Sequence, residues 1–152
     1  MLTPSILLVD DDADVRMLLG SFLMKAGYVV HTAREGHQAL HLLEKIETPD
    51  LIVLDYIMPE MNGKEFLSAR RRDPRLRVIP VILLSAWSRQ WSAGANLGVV
   101  DILAKPIDPD LLLDVIKRVL SSPYRPAIRA YKYERRRVPR LRLSETRMRR
   151  MS

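Results

Sequence analysis

The chain has no cysteine. Disulfide staples and thiolate chemistry are thereby excluded, and the absence fits a reducing compartment. No apolar run approaches the ~20 residues that span a bilayer. No basic segment precedes the first apolar run, which leads straight into Asp10-Asp11-Asp12, so a secretion signal is not expected and a cytoplasmic location is. There is no internal repeat. Histidine is scarce: His31, His37 and His41 lack the neighbouring ligands of a zinc site, although the last two are four residues apart. What remains is 152 residues, enough for one domain and a little more.

Charge is unevenly spread. Residues 1–120 hold 14 Lys and Arg against 16 Asp and Glu, whereas residues 121–152 hold 11 Lys and Arg against two glutamates. The total of +7 therefore describes a mildly acidic domain followed by a strongly basic tail. The tail begins Ser121-Ser122-Pro123-Tyr124-Arg125-Pro126 and lacks the apolar content for a core of its own. It reads as a flexible tail or linker. Tyr124, Tyr131 and Tyr133 interleave with its arginines, a composition suited to an acidic partner, a nucleic acid or an anionic surface. No helix-turn-helix or zinc module is present, so sequence-specific DNA binding by this chain alone is not expected.

Apolar runs alternate with segments of helical period. Strands are expected at 6–9, 28–32, 51–54, 78–84 and 99–103. Helices are expected at 13–26, 36–46, 63–72 and 108–120. Asp108 is the expected N-cap of the last, with Pro109 at its first position. Between Ser85 and Val99 only a short or irregular fourth helix fits, carrying Trp87 and Trp91 four residues apart, with Gly94 weakening its end. Strands that are apolar nearly throughout are covered on both faces, as in a parallel sheet flanked by helices. The chain is therefore of α/β class.

Reactive groups fall at the ends of those strands. Asp11 and Asp12 follow the first, Asp55 ends the third, Ser85 follows the fourth and Lys105 the fifth. In an open parallel sheet these ends share one edge, near a reversal of strand order. Asp11, Asp12 and Asp55 would raise one another's pKa unless a cation joined them, and an all-oxygen set favours Mg²⁺ or Mn²⁺. A phosphoryl group arriving at Asp55 would share that cation, pair with Lys105 and accept a hydrogen bond from Ser85. Asp55 would then be the nucleophile that forms an aspartyl phosphate. The simpler alternatives are that Asp11 and Asp12 cap the first helix and that Asp55 opens a turn.

Asp11-Asp12, the run Asp55-Tyr56-Ile57-Met58-Pro59-Glu60-Met61-Asn62-Gly63, Ser85-Ala86 and Lys105-Pro106 together resemble the receiver domain of two-component response regulators over residues 4–120. The resemblance implies a flavodoxin-like (βα)₅ doubly wound sheet of order 2-1-3-4-5, with residues 1–120 as the receiver and 121–152 as the tail. It implies phosphotransfer to Asp55 from a histidine kinase or histidine phosphotransfer protein. Asp11 and Asp12 become the acidic metal pair with Asp55, and the backbone carbonyl of Ile57 a further ligand. Ser85 becomes the switch hydroxyl and Lys105 the phosphate-pairing amine. A cis Lys105–Pro106 bond is also implied.

Two departures stand out. The aromatic residue usual three positions before the lysine is replaced by Ile102, and the segment from Ser85 to Lys105 is about two residues short of the common pattern. The expected function is a phosphorylation-controlled signalling receiver that acts through protein–protein contacts, a homodimer among them. Its own chemistry would be self-phosphorylation and slow autodephosphorylation rather than that of a dedicated enzyme. The alternatives are a fragment of a longer regulator or hybrid kinase, or a small Mg²⁺-dependent phosphohydrolase.

Overall fold

The computed structural model describes residues 3–86 and 98–122. Five strands, β1 (Ser5–Val9), β2 (Val29–Ala33), β3 (Leu51–Asp55), β4 (Val81–Ser85) and β5 (Val99–Ala104), form one parallel sheet of order β2-β1-β3-β4-β5. The expected strand order is therefore borne out. Every pairing is parallel, and the register shifts between Val81 and Ile82 where β4 meets β5. Strands β3 and β4 are buried along their whole length, as continuous apolar runs require when both sheet faces are covered.

The helices among the described residues are α1 (Ala13–Lys25), α2 (Gly36–Lys45), α3 (Gly63–Arg72) and α4 (Pro109–Ser121). They divide the core into two layers. Leu19 and Leu23 of α1 and Leu112, Ile116 and Val119 of α4 pack with Ile6, Leu8, Val53 and Ile82 on one face. Ala39 and Leu43 of α2 and Phe66 and Leu67 of α3 pack with Leu7, Val9, Ile52 and Leu83 on the other. Each fully buried leucine or phenylalanine contributes about 1.5–3 kcal/mol relative to its exposed state.

Local chemistry sets the boundaries. The side chain of Asp108 accepts from the amides of Asp110 and Leu111, and Pro109 opens α4 where a missing N–H costs nothing. Asn62 and Glu65 form a reciprocal capping box at the start of α3. Gly27 stands just past α1 with φ +98°, the left-handed geometry that ends helices. The fourth strand starts at Val81 rather than 78, because residues 73–79 fold into a turn closed by bonds from the Leu76 and Arg77 amides to the Asp73 carbonyl. Within α1, Leu18 is exposed, and Gly20 is buried beside Leu19 and Leu23. The expected fourth helix, with Trp87 and Trp91, and the 123–152 part of the expected tail lie outside the described residues.

Candidate functional site

The carboxyl ends of β1, β3 and β5 converge on one acidic cluster. Carboxylate oxygens of Asp10, Asp11 and Asp55 all lie within 4.8 Å of one another. Asp55 is the last residue of β3, and its side chain is only 4% exposed. Asp10 follows β1 directly and is fully buried, its amide bonded to the Ala33 carbonyl across the β1–β2 pair. Asp11 is exposed and forms the open side of the cluster.

The cluster thus brings Asp10 and Asp11 to Asp55, while Asp12, expected beside Asp11, lies outside it. Asp12 is the N-cap of α1, its carboxylate accepting from the amides of Asp14 and Val15 at 2.9 and 3.2 Å. Those amides have no partner within the helix, so an aspartate there has a structural use. Asp12 keeps one link to the cluster through its own amide, which donates to Asp10 Oδ1 at 2.9 Å.

Lys105 reaches in from the loop after β5. Its Nζ lies 3.0 Å from Asp55 Oδ1 and 3.4 Å from Asp10 Oδ2. Its amide donates to the Ser85 carbonyl, which ties the end of β5 to the end of β4, and the Lys105–Pro106 bond is cis as the resemblance implies. Ser85 closes β4 and is buried next to this cluster's edge of the sheet. Arg16, which sequence reasoning did not single out, donates from α1 to the Asp10 carbonyl at 2.7 Å. No local pattern announces that bond, because it depends on the return angle of α1.

The loop after Asp55 is tightly drawn. The Gly63 amide donates to the Tyr56 carbonyl at 2.8 Å, and a Cβ on Gly63 would lie 2.8 Å from Tyr56 Cα, so only glycine fits without movement. Glu60 takes φ +61°, uncommon for a residue with a side chain. The Ile57 side chain is exposed. Ile102 lies opposite Leu83 and packs half-buried on the α2–α3 side of the sheet.

Burial shifts the charges. It is the largest influence on Asp55 and raises its pKa; the Lys105 bond lowers it and the Asp10 charge raises it, and the carboxyl is pushed up to about 6. Burial alone would lower the Lys105 ammonium, but its contacts with Asp55 and Asp10 outweigh that and raise it. Three carboxylates, two of them buried, with one ammonium still carry excess negative charge, and their donors are all oxygen. The residues present therefore fit a small divalent cation.

Among the described residues no helix is long and apolar enough to cross a membrane.

Residues 6–117 match the family described as the response regulator receiver domain. The chain is 41% identical over 115 residues to an uncharacterized 14.6 kDa protein of Leptolyngbya boryana, covering 74% of this chain and 87% of that one. It is 36% identical over 126 residues to sporulation initiation phosphotransferase F of Bacillus subtilis, covering 79% of this chain and 96% of that one. Among solved structures, it is similar to the receiver domain of sensor histidine kinase PA1611 from Pseudomonas aeruginosa, which has a magnesium ion coordinated in its active site cleft. That likeness has a TM-score of 0.71 and 28% identity, and covers 80% of this chain and all of that one.

Proposed function

The chain belongs to the response regulator receiver family, and we propose that it is a phosphorylation-controlled switch with Asp55 as the phosphoacceptor. The observation that carries this reading is the convergence of Asp55, Asp10, Asp11 and Lys105 at the carboxyl edge of one parallel sheet. The donor is a phosphohistidine on a histidine kinase or phosphotransfer protein. A carboxylate oxygen of Asp55 forms the bond to phosphorus as the phosphorus–nitrogen bond breaks, and that electron pair leaves on the imidazole.

Asp10, Asp11 and Asp55, with the Ile57 carbonyl, would hold Mg²⁺ or Mn²⁺. Such an ion supplies charge neutralisation for the phosphoryl oxygens. Lys105 pairs with a phosphoryl oxygen, and the Ser85 hydroxyl donates to another. Asp12 is left as a helix cap in this reading, and Asp10 takes its place among the ligands. Arg16 holds the Asp10 carbonyl and so fixes the turn that presents Asp11.

Output passes through protein contacts. Because Ile102 stands where the family usually has an aromatic residue, coupling depends on Ser85 drawing its loop toward the phosphoryl group. A second reading, that the chain is the receiver module of a larger protein, is favoured by its likeness to a receiver domain of a sensor kinase.

The test is transfer from a radiolabelled phosphohistidine donor protein in the presence of Mg²⁺. One alkali- and hydroxylamine-labile phosphate per chain is expected, and none on D55N. Equal labelling of D55N would refute the assignment.

A further inference from the structure

α2 presents two histidines to solvent. His37 and His41 are four residues apart, so one helical turn sets their Cβ atoms about 5–6 Å from each other on one face. That face is the outward one. Ala39 and Leu43 of the same helix are buried in the core, whereas His37, His41 and Glu44 are exposed. Neither ring makes a hydrogen bond or an ion pair among the described residues, and the Glu44 carboxylate makes no ion pair there. The turn that carries His37 is held from two sides. The Glu35 carboxylate accepts from the His37 and Gln38 amides at 2.7 and 2.8 Å. On the inner side Gly36 lies under the Met61 side chain, so closely that a Cβ there would lie 2.5 Å from it. The spacing of the two rings is therefore set by a pinned backbone before any ligand arrives.

We propose that His37 and His41 chelate a divalent transition-metal ion of the Ni²⁺, Cu²⁺ or Zn²⁺ class, one ring nitrogen from each, with water completing the shell. Donor chemistry separates this site from the acidic cluster. Asp10, Asp11 and Asp55 offer oxygen alone, which suits Mg²⁺. Two imidazoles suit the borderline ions instead. A histidine pair at this spacing on one helix face is what holds zinc in H-E-x-x-H helices. The residue after the first histidine is the general base in those helices, and here it is Gln38, whose side chain accepts from the Arg34 amide. No base accompanies the pair, so the site binds an ion without hydrolysing anything. The four protein ligands of a structural zinc site are absent as well, so the fold does not depend on the ion. Glu44, three residues past His41 on the same face, adds negative charge beside the chelate. The pair stands apart from Asp55 and does not rest on its role.

The experiment is calorimetric titration of the full chain with Ni²⁺, with Mg²⁺ in excess to compete for the acidic cluster. One Ni²⁺ per chain is expected. H37Q and H41Q should each weaken binding by about tenfold or more, because the second imidazole no longer adds an intramolecular contact. H31Q should bind as the parent does. Spacing supplies the rescue. H37Q/K45H restores a pair four residues apart, one turn further along α2, and should recover affinity. H41Q/K45H leaves the two histidines eight residues apart and should not. The substituted positions of α2 are exposed, and unchanged melting without Ni²⁺ checks that each variant is folded. Three results overturn the proposal: no Ni²⁺ binding by the parent chain; unchanged binding in H37Q/H41Q; or an H37Q/K45H variant that binds no more tightly than H41Q/K45H.

Discussion

Lys105 and Asp55 meet at 3.0 Å across the carboxyl edge of the sheet, and the same ammonium lies 3.4 Å from Asp10. One cation therefore serves two buried carboxylates that come from neighbouring strands. The charge balance of the site, and with it the reactivity of Asp55, depends on that shared contact.

Its first consequence is a displaced titration. Burial, acting before the opposing Lys105 bond and the supporting Asp10 charge, pushes Asp55 up to about 6 from an ordinary 3.8. Carboxyl carbon NMR of the metal-free protein should show one aspartate with an inflection near that value. Adding Mg²⁺ should move it downward, and K105M should move it further up. An Asp55 inflection at 3.8 in the metal-free protein would contradict the charge balance described here.

Stability should follow the same shift, with a definite sign. Asp55 holds its proton more tightly in the folded than in the unfolded state, so its contribution is most favourable below the unfolded value of 3.8 and is lost as pH rises through about 6. D55N removes a charge that is costly to bury at neutral pH. Urea unfolding at pH 7.5 without metal should show D55N more stable by about 1–3 kcal/mol, an advantage that disappears toward pH 4. A destabilised D55N at pH 7.5 would show that the Lys105 pairing outweighs the burial cost.

Asp10 and Asp12 should separate cleanly by experiment. D12A removes a helix cap and should cost about 1 kcal/mol, with Mg²⁺ affinity by calorimetry nearly unchanged. D10N and D11N should each weaken Mg²⁺ binding by about tenfold or more, a loss of at least ~1.4 kcal/mol. The reverse pattern would restore Asp12 to the metal site.

The acceptor loop yields a ranked pair. A Cβ on Gly63 would meet Tyr56 backbone at 2.8 Å, whereas one on Gly36 would meet the Met61 side chain at 2.5 Å. Backbone cannot yield as a thioether chain can, and alanine favours the helix by up to about 1 kcal/mol at either position. G63A should therefore lower the melting temperature more than G36A. Equal losses would mean that Met61 is as fixed as the strand end.

Much of this was legible in the sequence, for identifiable reasons. Apolar runs at 51–54 and 81–84 are strands buried on both faces, and the residues that follow those runs, Asp55 and Ser85, sit where a parallel sheet exposes chemistry. In α3, Phe66, Leu67 and Arg70 share the buried face at helical spacing, guanidinium included. The acidic register was harder. Three consecutive aspartates carry no internal mark of which two face inward. The helix start at Ala13 makes Asp12 the cap, and Asp10 and Asp11 are the two that lie beside Asp55. The Arg16 bond to the Asp10 carbonyl rests on tertiary placement, as does the sharing of Lys105 between two acids, and no periodicity reports either.

The central claim is that Asp55 receives the phosphoryl group. Its most direct test is peptide mapping after treatment with a small acyl phosphate donor and Mg²⁺, with borohydride reduction to convert the phosphoaspartate to homoserine. The account predicts homoserine at position 55 and at no other aspartate, with its yield lost when Mg²⁺ is chelated. Homoserine at Asp10 or Asp11, or a stable phosphate on Ser85 with Asp55 unmodified, would contradict it.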